Sequence, residues 1–364
     1  MVLIISALFI SILYFLLILI FILGWENIFS YEPKGIIDID FPVSVVVPCK
    51  NEQENIMKLI SILAQQSYQN FELIIINDHS TDSTRHYIKR AQKDFPNIKL
   101  IDAVGHGKKN ALKEGITQAN STLIITTDAD CMPSYHWIEA IASFYKRFPC
   151  DLIIGPIGLS DKDDLFSRVQ ALEFSSLAGT AAGASGAGMP ILCNGANLAF
   201  TKKVWLKSQK DLHNEEQSGD DIFLLESVKK AGGKIRFLKS EAAFVKTKPP
   251  KNIMEFINQR RRWAGKSKSY SDWQIILTAT IVLAVSLVSL AFLGMAFDKW
   301  QYSIGFLLLF VFKYSIDTYF LYKVRRFFQL DNIWAYSFIL SLIYPIYIVF
   351  IAFSSILIPP TKWK

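Results

Sequence analysis

Four charge-poor apolar stretches bracket this chain, one at its start and three at its end, and they restrict the fold more than any other feature. Residues 2–23 ("VLIISALFISILYFLLILIFIL") carry no charge. They are long enough to cross a hydrocarbon layer of roughly 30 Å. A secretory signal would have basic residues before a shorter apolar core and a small-residue cleavage site after it. Neither occurs and "GWENIFSYEP" follows, so the segment reads as a retained anchor with Trp25 at the interface. Runs at 274–297, 303–322 and 334–358 read as three further spans. The second contains Lys313 and Asp317, four residues apart and so on one helix face, where they can pair inside a bundle.

Between the first span and the last three lie roughly 250 polar-patterned residues, enough for one sizeable domain with its own core. With 51% hydrophobic and 20% charged residues, the chain is too apolar for a soluble domain alone and too charged for a membrane bundle alone. The loop "YKVRRFFQLDN" carries Lys323, Arg325 and Arg326, whereas "FDKWQ" carries one lysine. Positive residues stay inside, so the first loop is expected in the cytoplasm. Counting back through the spans puts the large domain there too. The expected division is an N-terminal helix over 1–24, a cytoplasmic domain over 40–270 with an interfacial helix near 251–265, and three spans over 274–358. The four cysteines have no paired spacing, which suits a reducing compartment. The net charge of +7 suits a domain resting on an anionic bilayer rather than a nucleic-acid partner, and leaves the oligomeric state open.

Inside this domain strands and helices alternate. "VSVVV" is a β-branched run that Pro48 is expected to break, and a helix with Ile56, Leu59, Ile60 and Leu63 on one face follows. "FELIIIND", "IKLIDA" and "STLIITTDAD" are further strands, each followed by a helical pattern. Continuous apolar strands alternating with amphipathic helices predict an α/β, mainly parallel sheet covered on both faces. Ligands bind such sheets at the carboxyl ends of the strands, where Pro48, Asp78 and the Asp128/Asp130 pair all fall.

Each motif has two readings. The carboxylates of "DAD" (Asp128, Asp130) can reach a hard divalent cation, or can cap the next helix. "NDHSTDST" is either a turn and cap or a place where Asp78 bonds a base or ribose. "GHGKKNAL" lacks the Walker spacing, though Lys108 at a helix start can touch a phosphate or sugar hydroxyl. "AGTAAGASGAGMP" has no strand before it, so its small residues point to close packing or a mobile segment rather than a dinucleotide loop, and "CNGANLAF" suggests a tight turn. In "SGDDIFLLESVKKAGGKIRF" the acids suit a helix N-terminus, which also keeps one ionised and able to accept a proton. If "NIMEFINQRRRWAGK" is helical, Gln259, Arg262 and Trp263 share a face while Arg260 and Arg261 point away, toward lipid headgroups.

Taken in order, "VVVPCKNE", "NDHSTD", "GKKNAL", "DAD", "NGANLAF", "GDDIFL" and "QRRRW" resemble the membrane-bound family 2 glycosyltransferases, which include the synthases of cellulose, chitin, hyaluronan and poly-N-acetylglucosamine. The resemblance covers about residues 41–265. It implies a GT-A fold (a Rossmann-like nucleotide-diphospho-sugar transferase sheet), a nucleotide-sugar donor, Mg2+ or Mn2+, and inversion at the anomeric carbon. By the same resemblance Pro48, Glu52 and Asp78 line the nucleotide and Lys108 contacts the donor. Asp128 lies near the donor sugar and diphosphate and shares the metal with Asp130, while Asp221 is the catalytic base. Gln259 and Arg262 close over the diphosphate, and Trp263, Asn197 and Asp220 meet a glycan or lipid-linked acceptor. "GDD" stands where the family more usually has Glu-Asp, which shifts the partner carboxylate by a methylene. Three C-terminal spans are few for a polymer-exporting synthase, so polymer synthesis and single transfer both stay open.

Two rival readings compete. A nucleotidyltransferase can use a similar sheet, but it would normally carry a glycine-rich basic loop after the first strand, where this chain has "PCKNEQEN". A non-catalytic membrane scaffold has no need of the acids that stand at each expected place.

Overall fold

A computed structural model describes residues 2–33, 39–160, 164–212, 219–330 and 332–357. Ser218, at the start of the "SGDD" segment, and Ile358, at the end of the last apolar run, lie outside the described residues. Along the chain the elements begin with α1 (Val2–Asn27), β1 (Val43–Cys49), α2 (Ile56–Ala64), β2 (Phe71–Asn77), α3 (Thr84–Asp94) and β3 (Ile98–Asp102). Next come α4 (Lys108–Gln118), β4 (Leu123–Thr126), β5 (Met132–Pro133), α5 (Trp137–Arg147), β6 (Leu152–Ile154), β7 (Ile157–Leu159) and α6 (Leu165–Gly186). Then follow β8 (Leu198–Thr201), α7 (Lys202–Ser208), α8 (Asp220–Lys230), β9 (Ile235–Phe237) and β10 (Val245–Thr247). The chain closes with α9 (Ile253–Ala264), α10 (Trp273–Ala296), α11 (Gln301–Val324) and α12 (Ile333–Leu357). These elements form two compact units. A sheet unit is built from Ile28–Ser160 and Leu192–Lys248, and a helical unit from Met1–Asn27, Asp161–Ile191 and Pro249–Thr361.

In the sheet unit seven strands run in the order β3-β2-β1-β4-β8-β6-β9. The β3-β2-β1-β4 half is parallel throughout, β8 is antiparallel to both its neighbours, and β9 is parallel to β6. Val43, Val45, Val46, Val47, Ile74, Ile75, Ile76, Ile124 and Ile125 are all sealed from solvent, as expected for strands covered on both faces. The expected helix after β1 buries Ile56, Leu59, Ile60 and Leu63. A second, three-stranded sheet pairs β5, β10 and β7.

Pro48 does not break β1. The strand continues to Cys49, with Pro48 registered against Ile76 of β2. Backbone groups of successive strand residues point to alternate sides. The Cys49 carbonyl accepts from Asp78 N–H on the β2 side, and the Val46 carbonyl accepts from Thr127 N–H on the β4 side. Pro48 therefore directs its nitrogen to the β4 side, where the ladder has ended at Val46↔Thr126. Having no N–H, Pro48 stops the ladder to β4 there while the pairing with β2 continues.

Among the described residues of the helical unit, four helices are long and apolar enough to cross a membrane: Ile5–Asn27, Trp273–Ala296, Gln301–Val324 and Trp334–Leu357. Lys313 and Asp317 pair as expected, the Tyr14 hydroxyl donates to Asp317 Oδ1 at 2.6 Å, and the lysine ammonium lies 4.6 Å from the Tyr344 ring centre. Trp25, near the end of α1, is buried with Phe327 and Phe328 at ring separations of 5.4 and 6.1 Å. The small-residue stretch from Ala178 is helical as far as Gly186, where α6 ends. A Cβ on Gly183 would sit 2.3 Å from the Phe21 carbonyl oxygen, so α1 and α6 approach as closely as only small residues allow.

Candidate active site

The carboxyl ends of β1, β2 and β4 carry the polar residues singled out in the sequence. Asp78 follows β2 directly and is fully buried. Its Oδ2 accepts the Gly107 N–H at 3.0 Å and lies 3.7 Å from Lys50 Nζ, while its Oδ1 lies 3.0 Å from His79 Nδ1. Pro48 is buried at the end of β1, and the loop after it places Glu52, whose N–H donates to Thr84 Oγ1 at 2.7 Å. Cys49 is buried beside them. Burial, reinforced by Glu52 and Asp82, pushes its thiol up to about 12, so it stays protonated and cannot serve as a nucleophile.

Asp128 and Asp130 stand just past the end of β4, both half-buried. Lys108, the first residue of α4, reaches Asp128 with Nζ 2.5 Å from Oδ1. Burial pulls the lysine down, but Asp128, with Asp221 and Asp220 beyond it, outweighs this and holds the ammonium above its ordinary value. Lys108 is thus a permanent cation among three carboxylates.

Asp220 and Asp221 open α8, where Gly219 adopts φ 107° as the turn into the helix demands. Lys109 Nζ lies 3.7 Å from Asp220 Oδ1. Asp221 Oδ2 accepts the Gly195 N–H at 3.0 Å, and the Gly195 carbonyl accepts from Thr126 Oγ1 at 2.7 Å. The end of β4 and the start of α8 are therefore tied through one turn, which Asn194 stabilises by accepting the Ala196 N–H at 3.0 Å. That turn is the tight turn expected at "CNGAN", and its bridging part was not foreseen.

Asn197 requires a correction. It is fully buried, its Oδ1 accepts from Trp137 Nε1 at 2.9 Å, and its Nδ2 donates to the carbonyls of Pro156 and Ala243 at 2.7 and 2.9 Å. An amide so enclosed ties the start of α5 to the turns between β6 and β7 and before β10, and does not meet an acceptor.

Gln259, Arg262 and Trp263 belong to α9 of the helical unit and are half-buried there. The helix is present, but its inward face differs from the expected one. Arg260, expected to point away to lipid headgroups, is the buried residue, donating through both Nε and Nη2 to the Glu173 carboxylate of α6. Its guanidinium lies 4.7 Å from the Phe256 ring centre and 4.1 Å from that of Trp263, and Nη1 donates to Gln259 Oε1 at 2.6 Å. Phe256, Arg260 and Trp263 are spaced four and three residues apart on one face, and the two aromatics were the sign that it turns inward.

Residues 44–200 match the Glycosyl transferase family 2, and residues 123–354, more than half of the 364, match the Glycosyl transferase family group 2. The chain belongs to the family 2 glycosyltransferases. A poly-beta-1,6-N-acetyl-D-glucosamine synthase of Staphylococcus epidermidis is 31% identical to this transferase over 142 residues, 38% of this chain and 34% of that protein. Glycosyltransferase AglE of Haloferax volcanii is 27% identical over 142 residues, 36% of this chain and 47% of that protein. The matches thus span between a third and a half of those relatives' length. Among solved structures, the mannosyltransferase PcManGT from Pyrobaculum calidifontis, in complex with GDP-Man and Mn2+, is 15% identical with a TM-score of 0.57, covering 92% of this chain and 99% of that one. The transferase has the GT-A fold, a Rossmann-like, mainly parallel sheet, together with four helices apolar enough to cross a membrane.

Proposed function

We propose that this chain is an inverting enzyme that moves a hexosyl or N-acetylhexosaminyl group from a uridine-diphosphate donor to a glycan or lipid-linked acceptor at the cytoplasmic face of the cell membrane. The observation that carries this reading is the convergence of Asp128, Lys108, Asp220 and Asp221 at the end of β4, tied through Gly195. The relative that bears the name of a poly-N-acetylglucosamine synthase supports an N-acetylhexosamine donor.

In this reading Pro48, Glu52 and Asp78 receive the nucleoside, and Lys108 and Arg262 meet the diphosphate with Gln259. Asp128 and Asp130 offer hard carboxylate oxygens one residue apart, a donor set that suits Mg2+ or Mn2+, and Lys108 already shows that Asp128 turns an oxygen toward a cation. Such an ion, when bound, neutralises charge on the diphosphate. Asp221 takes the proton from an acceptor hydroxyl as its oxygen bonds to the anomeric carbon and the bond to the diphosphate breaks. The Gly195 N–H, donating to Oδ2 at 3.0 Å, keeps that carboxylate aimed. Asp220 and Trp263 are assigned to the acceptor.

Asp221→Asn is expected to lower turnover by roughly 10²–10⁴ while donor binding persists. Membranes containing the chain, supplied with a panel of labelled sugar nucleotides, provide the assay through release of nucleoside diphosphate. Full activity in Asp221→Asn would remove the base assignment. Release of pyrophosphate instead would indicate a nucleotidyltransferase, and no release with any donor would indicate a scaffold. Sizing the product separates a polymer ladder from a single organic-soluble conjugate.

A further inference from the structure

A second group of ligating side chains stands at the sheet edge, apart from Asp128 and Asp130. Among the described residues, Asp78, His79 and His106 bring one carboxylate oxygen and two imidazole nitrogens within 4.8 Å of one another. The three come from different places. Asp78 ends β2, His79 begins the loop to α3, and His106 lies in the loop between β3 and α4. Both imidazoles are exposed, and their rings stack with centres 4.0 Å apart. His79 holds a φ of 54°, in the left-handed region that histidine enters more readily than most side chains.

We infer that Asp78, His79 and His106 form a site for a borderline-soft divalent cation such as Zn2+. Imidazole nitrogens with one carboxylate suit zinc, whereas the hard oxygen pair of Asp128 and Asp130 suits Mg2+ or Mn2+. The Asp78 oxygens are already divided between two tasks. Oδ2 is fixed by the Gly107 N–H at 3.0 Å, which orients the carboxylate, and Oδ1 faces His79. A zinc ion enters between Oδ1 and the two rings, replacing the Asp78–His79 hydrogen bond by bonds to the metal. Two ligand atoms on one tetrahedral zinc lie about 3.4 Å apart, given bonds near 2.0–2.1 Å. The group therefore has to contract modestly, which two exposed imidazoles achieve by side-chain rotation. Lys50, 3.7 Å from Oδ2 with its side chain 24% exposed, lies toward the opposite oxygen and can swing outward. The fourth position is left to water or an exogenous group.

Asp78 is also assigned above to the donor nucleoside, so zinc and donor compete in that reading, although the metal site does not depend on it. Calorimetric titration of the detergent-solubilised full chain with ZnCl2 tests the site. One zinc is expected to bind, with affinity falling at least tenfold in His79→Ala and in His106→Phe and unchanged in Asp130→Asn. His106→Phe keeps an aromatic ring in the stack but removes both nitrogens, so its loss of zinc reports ligation and not ring packing, and an unchanged melting temperature shows that it folds. Absence of a zinc site in the parent, or equal affinity in the histidine variants, overturns the proposal. Zinc bound through these residues without any weakening of UDP binding keeps the site and removes Asp78 from the donor.

Discussion

Replacing Asn197 by Ala removes one acceptor and two donors in a fully buried place. It leaves Trp137 Nε1 without its acceptor and the Ala243 carbonyl without its donor, whereas the Pro156 carbonyl keeps the Val245 N–H at 3.1 Å. Each abandoned buried group costs about 1–3 kcal/mol, so Asn197→Ala is expected to destabilise the sheet unit by at least about 2 kcal/mol. Thermal unfolding checks this. A contact to the acceptor alone would instead raise the acceptor KM with stability intact. The residue also marks where reading the sequence stops. Asp78, Lys108, Asp128 and Asp221 were legible because charged residues at strand ends and helix starts have few other places to be. The partners of Asn197 lie 41 to 60 residues away, and no local pattern shows that its amide is enclosed. The two histidines of the zinc site were equally illegible, since His79 and His106 meet only through the topology of β2 and β3.

Helix α9 was legible as a helix, yet its inward face was misread. A period of 3.6 residues says which side chains share a face, not which face a partner covers. The partner here is Glu173, 87 residues away on α6, a helix hidden by the small residues of its second half. Arg260 and Glu173 are each only 4% exposed, so the pair is a buried ion pair. Arg260→Ala leaves the Glu173 carboxylate without its cation and is expected to cost about 3–5 kcal/mol, whereas Arg260→Met with Glu173→Leu should cost much less. Melting of the detergent-solubilised variants distinguishes the two outcomes. Equal losses in the single and double variants would mean that packing around the guanidinium, not charge, holds α9. Sheet strands were read more faithfully than this helix because burial on both faces leaves them no face to choose. Pro48 was the exception, since its tolerance depends on where the β4 ladder stops.

Across the whole chain the two units interleave in sequence: α1 opens the helical unit, α6 returns to it from the middle of the sheet unit, and α9 to α12 complete it. The apolar runs made the spans legible, but that α6 belongs with them was not, because its buried residues include Gln170, Glu173 and many small side chains. Such a discontinuous unit needs contacts that fix which helices meet. One is the polar cluster in which Lys313 and Asp317 of α11 meet Tyr14 of α1. Ionisable residues at that depth are costly unless paired, and the Lys313 side chain is 7% exposed. Asp317→Ala strands the ammonium and removes the acceptor of the Tyr14 hydroxyl. The variant is expected to melt well below the parent, with a loss of about 3–5 kcal/mol. Lys313→Met combined with Asp317→Leu restores most of it, because two apolar side chains of similar size carry no desolvation cost. Should Asp317→Ala melt with the parent, the cluster does not determine the pairing of α1 with α11, and apolar packing alone sets it.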